Sequence, residues 1–141
     1  MNTDDVIRID LPSDHKYLSV LGIALAEILH KVEGLSQPEQ TIYEIQLAVQ
    51  EVCANIVNHA YANFEGGRIQ AIIELAKDPR RVVIELSDTG LSFDFDAASV
   101  APDLDEPHEG GYGLFLIEQV MDKVSYQAQA TGNTWTLTRH I

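Results

Sequence analysis

The segment Glu51-Val-Cys-Ala-Asn55-Ile-Val-Asn58-His59-Ala60-Tyr61 carries two periodicities at once. Hydrophobic residues recur at helical spacing from Ile42 through Ile45, Val49, Val52 and Ile56 to Ala60, which predicts one buried stripe. Beside it, Glu51, Asn55 and Asn58 fall at i, i+4 and i+7 and form a second, polar stripe. Polar residues on a helix usually face solvent, and that reading accounts for the stripe. Asparagine, however, competes for backbone hydrogen bonds and is a poor residue for a helix interior. Two asparagines here give up helix propensity without an evident structural return. A carboxylate and an amide oxygen one turn apart can together reach a magnesium ion and a hydroxyl nucleophile, so the stripe is also a functional candidate.

Upstream, Ser36, Pro38 and Glu39 make a helix-start signature, which predicts this helix from there to about Ala62. Before it, Leu18, Leu21, Leu25, Ile28, Leu29 and Val32 predict a helix over 14–33, with Ser13 or Asp14 as its cap and Gly34 as its stop. Residues 5–11 alternate and predict a strand that Pro12 ends. Downstream, Gly66-Gly67 turns the chain into strands over 68–76 and 81–88, joined at Asp78-Pro79 and covered on one face. A loop of about twenty residues, Thr89 to Glu109, is long enough to be functional or disordered. Gly110-Gly111-Tyr112-Gly113 then opens a third helix with the stripe Leu114, Ile117, Met121 and Val124. Strands over 124–130 and 134–140, meeting at Thr131-Gly132-Asn133, close the chain. The order βααββαββ, with neither repeat nor linker, describes one α+β domain over residues 1–141. Its architecture is a two-layer α/β sandwich, three main helices on one face of a mixed, largely antiparallel sheet.

Asp88-Thr89-Gly90 leaves the third strand. Asp and Gly at a strand end commonly make a plain turn. The same pair can hold a carboxylate where a ligand amine donates to it, with Gly90 leaving the ligand room. Gly110-Gly111-Tyr112-Gly113 is either a flexible loop exit or a helix start whose amides and dipole face phosphate oxygens. Gly111 to Leu116 comes near the dinucleotide fingerprint, but no strand precedes it in a βαβ unit. A P-loop, HExxH and GxSxG are all absent, and the five histidines lack metal-ligand spacing.

Nine Lys and Arg stand against 22 Asp and Glu, a net charge of −13. Nucleic-acid backbones bind through cationic counterion release, and anionic membranes attract basic segments, so this balance argues against both partners. Residues 1–5 offer no basic n-region for a secretory signal. The longest apolar stretch, Leu18 to Ala26, is far short of the ~20 residues that cross a bilayer. A cytoplasmic protein is expected. Cys53, the one cysteine, lies among Val49, Val52, Ile56 and Val57 and is expected to be buried.

Taken in order, an Asn-bearing helix, DxG after a strand and GGxG before a helix are more specific together than apart. The constellation resembles the Bergerat-type ATP-binding fold of the GHKL superfamily. Within it, Glu51 to Tyr61, Asp88-Thr-Gly90-Leu-Ser-Phe93-Asp94 and Gly110-Gly-Tyr-Gly113-Leu-Phe resemble the bacterial anti-sigma-factor serine kinases, over essentially the whole chain. The resemblance implies that Asn55 coordinates Mg²⁺ bridging the ATP phosphates and that Glu51 takes the proton from a substrate serine. It further implies that Asp88 accepts a hydrogen bond from the adenine amine, with Gly90 lining that pocket and Thr134 near the base. Gly111 and Gly113 would let the lid and helix start wrap the phosphates. Kinases of this family switch partners: they phosphorylate a serine on a STAS-domain antagonist and hold a sigma factor in another state, commonly as homodimers. Gly22 stands where sigma-binding relatives commonly carry an arginine, and Ser92 replaces the second glycine of the usual DxGxG. Two other readings remain at this point. One is a nucleotide-gated binding module that sequesters a partner without phosphotransfer, the other an adaptor whose degenerate pocket takes no nucleotide.

Overall fold

Three helices cover one face of a five-stranded sheet in the computed structural model, which describes residues 5–61, 66–91 and 112–141. The chain runs through β1 (Asp5–Pro12), a 3-10 turn (His15–Tyr17), α1 (Leu18–His30) and α2 (Pro38–Asn55), which passes into a π-helical turn (Ile56–Ala60). Then come β2 (Arg68–Ala76), β3 (Arg81–Asp88), α3 (Tyr112–Val120), β4 (Lys123–Gln129) and β5 (Gly132–His140). Strand order is β1-β2-β3-β5-β4, and all four described pairings are antiparallel.

The period of two in each strand decides what faces the helices. Leu86 lies opposite Trp135 and Ile84 opposite Leu137, and all four are buried. The intervening rungs, Ser87 with Thr134 and Glu85 with Thr136, are only half-buried and belong to the other face. Leu21, Leu25 and Leu29 of α1, Ile45, Val49 and Val52 of α2 and Ile117 of α3 close the core over the sheet. Cys53 is buried among them as expected, and burial pushes its thiol up to about 12. Among the described residues, no helix is long and apolar enough to cross a membrane.

The first helix differs from expectation at both ends. Asp14 caps the 3-10 turn instead, its Oδ1 accepting from the Lys16 amide at 3.0 Å, and α1 proper begins at Leu18. At its end, the Lys31 and Val32 amides reach back three residues to Ile28 and Leu29, which tightens the last turn and leaves Val32 outside the helix. The third helix stops at Val120, because the Asp122 amide already bonds the Thr138 carbonyl at 2.8 Å. Val124 therefore belongs to β4, not to the helical stripe. Gly132 and Asn133 lie within β5, so the closing turn falls one step earlier than the sequence suggests.

Arg139 on β5 ties both neighbouring helices down. One of its guanidinium nitrogens donates to Glu44 Oε2 on α2 at 2.7 Å and to the Val120 carbonyl ending α3 at 2.6 Å. That hydrogen bond, with a second from Gln40, holds the Glu44 carboxyl below its usual range. A depressed folded-state value stabilises the fold above the unfolded value of 4.5 and is lost as pH falls through the folded one. Glu44→Gln is thus expected to lower stability by about 1 kcal/mol at pH 7. Thermal unfolding of both proteins should show that gap closing as the pH is taken below 4.5.

Candidate functional site

Packing of the apolar stripe of α2 against the core leaves Glu51 and Asn55 half-buried, one turn apart on the same side. Past Asn55 the hydrogen bonding widens: the Tyr61 amide reaches the Ile56 carbonyl five residues back, at 3.3 Å. Single π turns of this kind recur at functional sites, where they re-aim a helix end. Here the re-aimed end meets the exit of β3. The Leu91 amide donates to the Ala60 carbonyl at 2.7 Å. A Cβ on Gly90 would overlap that same carbonyl, so glycine is what lets the two backbones approach.

This contact brings Asn55 and Asp88 onto one small cavity, shared with Ala60, Leu91 and Trp135. Asp88 ends β3 on the helix-facing side and is only 6% exposed. Its Oδ1 accepts from the Gly90 amide and from Asn133 Nδ2, both at 2.8 Å. Burial pushes the Asp88 carboxyl above its usual range, and these two bonds oppose the rise. Asn133 also donates to the Gly90 and Leu91 carbonyls at 3.1 and 2.9 Å, latching the loop as it leaves the strand. From the other side, the buried Tyr61 hydroxyl accepts from the Thr89 amide and donates to the Arg68 carbonyl, each at 2.8 Å.

Glu51 points toward the start of α3. A Cβ on Gly113 would lie 2.7 Å from Glu51 Oε2, so the glycine in that first turn admits the carboxylate. A carboxylate, an amide oxygen and the first turn of a helix, the positive end of its dipole, thus converge beside the Asp88 cavity. The arrangement can bind an anionic group at the helix start, accept a proton at Glu51 and accept a ligand amine at Asp88.

Of the residues singled out from the sequence, Glu51, Asn55, Asp88, Gly90 and Gly113 fall in this region. Gly111 and the loop 92–110 lie outside the described residues. Thr134 does not join the group. Strand alternation turns it to the opposite face, where its hydroxyl lies 3.2 Å from that of Ser87. The residue beside Asp88 is Asn133, which the sequence reading assigned to a turn. Counting back in twos from Leu137 and Trp135 would have found it. Asn58, third member of the polar stripe, is instead engaged at 2.9 Å by His15 Nε2 of the 3-10 turn. Among the described residues, no group of three or more His, Cys, Asp and Glu gathers as a metal site.

Comparison with known proteins follows the same lines. The profile of the histidine kinase-like ATPase domain matches residues 11–139. A serine-protein kinase RsbW of Staphylococcus epidermidis is 34% identical, the match covering 99% of this chain and 89% of the relative. The serine-protein kinase RsbW of Bacillus subtilis is 29% identical over 99% and 88%. Among solved structures, the RsbU and RsbW domains of a Mycobacterium tuberculosis protein superpose with a TM-score of 0.70 at 23% identity. That match covers 96% of this chain and 32% of the other. The histidine kinase domain of a blue-light activated histidine kinase from Erythrobacter litoralis gives 0.59 at 20% identity, covering 92% and 61%. Both structures share this fold.

Proposed function

The chain belongs to the histidine kinase-like ATPase family, and from that premise we propose that it is an ATP-dependent serine protein kinase acting as an anti-sigma factor in a partner-switching module. One observation carries the reading: Asn55 and Asp88, 33 positions apart in the chain, border one cavity of about 10 Å³, the size of a water, with Glu51 a turn away against the start of α3.

Each residue then has work suited to its chemistry. Asp88 accepts the exocyclic amine of adenine, and Gly90 lets the Ala60 carbonyl close against the turn that holds Asp88. The first turn of α3, with Gly113 and the preceding Gly111, offers amides to the phosphates, which an acidic chain cannot attract by net charge. The Asn55 amide oxygen is a hard ligand of the kind Mg²⁺ accepts alongside phosphate oxygens and water. Bound there, that ion would neutralise charge on the transferring phosphoryl group. Glu51 takes the proton of the attacking serine hydroxyl as its oxygen bonds the γ-phosphorus and the bond to the ADP oxygen breaks.

The acceptor in this reading is a serine on a STAS-domain antagonist, and a sigma factor is the alternate partner. A groove of about 360 Å³ between α1 and α2 supports a docking role for this face. It is floored by Gly22 and flanked by Ile23 and Tyr43, which are 66% and 63% exposed. Among the described residues, no charged side chain lines it, although the chain carries −13. Exposed apolar surface of this kind marks protein contacts. Tyr43→Arg is expected to weaken capture of a STAS-domain partner at least tenfold (about 1.4 kcal/mol), with ATP affinity within about twofold; paired calorimetric titrations read both. The same reading makes the protein cytoplasmic and homodimeric, the latter checked by sedimentation.

Titration of the protein with ATP, with and without Mg²⁺, tests the proposal directly. Magnesium-dependent binding is expected, and ATP at 100 times its dissociation constant should stabilise the fold by about 2.7 kcal/mol. A chain that binds no ATP under either condition is not this kinase.

A further inference from the structure

We propose that Asn133 sets the base preference of the nucleotide site, by holding Asp88 so that one carboxylate oxygen is reserved for the ligand. The inference rests on the ATP-binding reading above and adds to it a specificity-determining residue that touches the base only through Asp88.

Asn133 is 2% exposed and sits directly across the β3–β5 ladder from Asp88, on its last rung. A primary amide has two N–H groups. Here they serve three acceptors, Asp88 Oδ1 at 2.8 Å and the carbonyls of Gly90 and Leu91 at 3.1 and 2.9 Å, so one N–H is shared. The Gly90 amide reaches the same Oδ1 at 2.8 Å. Both bonds to the Asp88 side chain therefore fall on Oδ1, and Oδ2 takes none among the described residues. Two donors on one oxygen fix the plane of the carboxylate and favour its ionised form, against the burial that disfavours it.

An ionised carboxylate only accepts hydrogen bonds. Facing an exocyclic amine, Oδ2 gains a partner. Facing an exocyclic carbonyl, it meets another acceptor, and both are left unpaired in a desolvated site, the kind of mismatch that gives strong discrimination. A carboxyl free to rotate or to take up a proton could donate to that carbonyl, and the discrimination would fall. Asn133 removes that freedom. By tying the Gly90 and Leu91 carbonyls to the same amide, it also fixes the loop against which the base must lie.

ATP and inosine triphosphate differ at that exocyclic group and at the adjoining N1, an acceptor in adenine and an N–H donor in hypoxanthine, so the pair tests both positions that face Oδ2. Their affinities can be read on the full chain from the emission of Trp135, the one tryptophan, which lines the same cavity. Wild type is expected to prefer ATP by about 100-fold or more. Asn133→Leu, similar in size but without donors, and Asn133→Ser, too short to span the three acceptors, should each cut that preference at least tenfold. In an Asp88→Asn background the preference is already gone, and Asn133→Leu should change it no further; a merely structural role would not produce that dependence. Either single variant that folds and keeps the wild-type ratio overturns the proposal. Should Asn133→Leu not fold, Asn133→Ser decides alone. A wild type that binds neither nucleotide instead overturns the kinase reading itself.

Discussion

Glu51→Gln is expected to slow serine phosphorylation by roughly 10²–10⁴-fold, while ATP affinity stays within about threefold of wild type. The expectation follows from placement. Glu51 lies one turn before Asn55 on α2, and its carboxylate abuts the first turn of α3 through the space that Gly113 leaves. Glutamine keeps the size and the hydrogen-bonding reach of the side chain but cannot take a proton. A single-turnover assay with labelled ATP and a STAS-domain acceptor reads transfer, and calorimetry on the same protein reads binding. Full activity in the variant would remove Glu51 from the chemistry. Loss of binding together with transfer would make it a phosphate-positioning group. If wild type bound ATP and partner yet labelled no serine, the nucleotide-gated module would be the right description.

The second large effect separates binding from stability. Asp88→Asn is expected to weaken ATP binding about 100-fold, since a charge-assisted acceptor is replaced by an amide that must present a donor or a weaker oxygen to the base. The unliganded variant should nevertheless unfold at the same temperature as wild type or higher. The Asp88 carboxyl is raised above its unfolded value of 3.8, burial being the main cause. Such a group favours the fold below its unfolded value, and that advantage is lost as pH rises through the folded one. At pH 7 its charge therefore works against folding, and asparagine relieves the burden while still accepting from Gly90 and Asn133. The stability gap should vanish as the pH drops below 3.8, where aspartic acid is neutral in both states. A variant that loses ATP and stability together at pH 7 would show that Asp88 is chiefly structural.

Much of this was legible in the sequence because its signals are local. The strands expected over 68–76 and 81–88 coincide with β2 and β3, where alternation runs unbroken between turn residues. The polar stripe of α2 and the Asp88-Thr89-Gly90 exit are likewise short-range patterns. What escaped depends on distance or on geometry that composition does not encode. Ile56 and Ala60 sit four apart whether the turn is α or π, so the widening past Asn55 leaves no mark on the apolar spacing. Tyr61 looks like the last residue of a helix until its hydroxyl is found bridging Arg68 and Thr89, seven and 28 positions away. The resemblance points to Thr134, whereas the register of β5 turns Asn133 toward Asp88, and in a strand a one-residue step exchanges the faces.

The place of that last rung in the sheet has one more consequence. Neighbouring strands are consecutive in sequence everywhere except between β3 and β5, and Asp88 and Asn133 stand at the end of that junction. A chain emerging from the ribosome can pair β1, β2 and β3 and present Asn55 and Asp88 long before Asn133 is translated. The rung that pairs Asp88 with Asn133 is therefore among the last features that synthesis completes. A product interrupted before Asn133 carries α1, α2 and β1–β3 but lacks the side chain that faces Asp88 across the ladder, so that rung closes only once β5 is made.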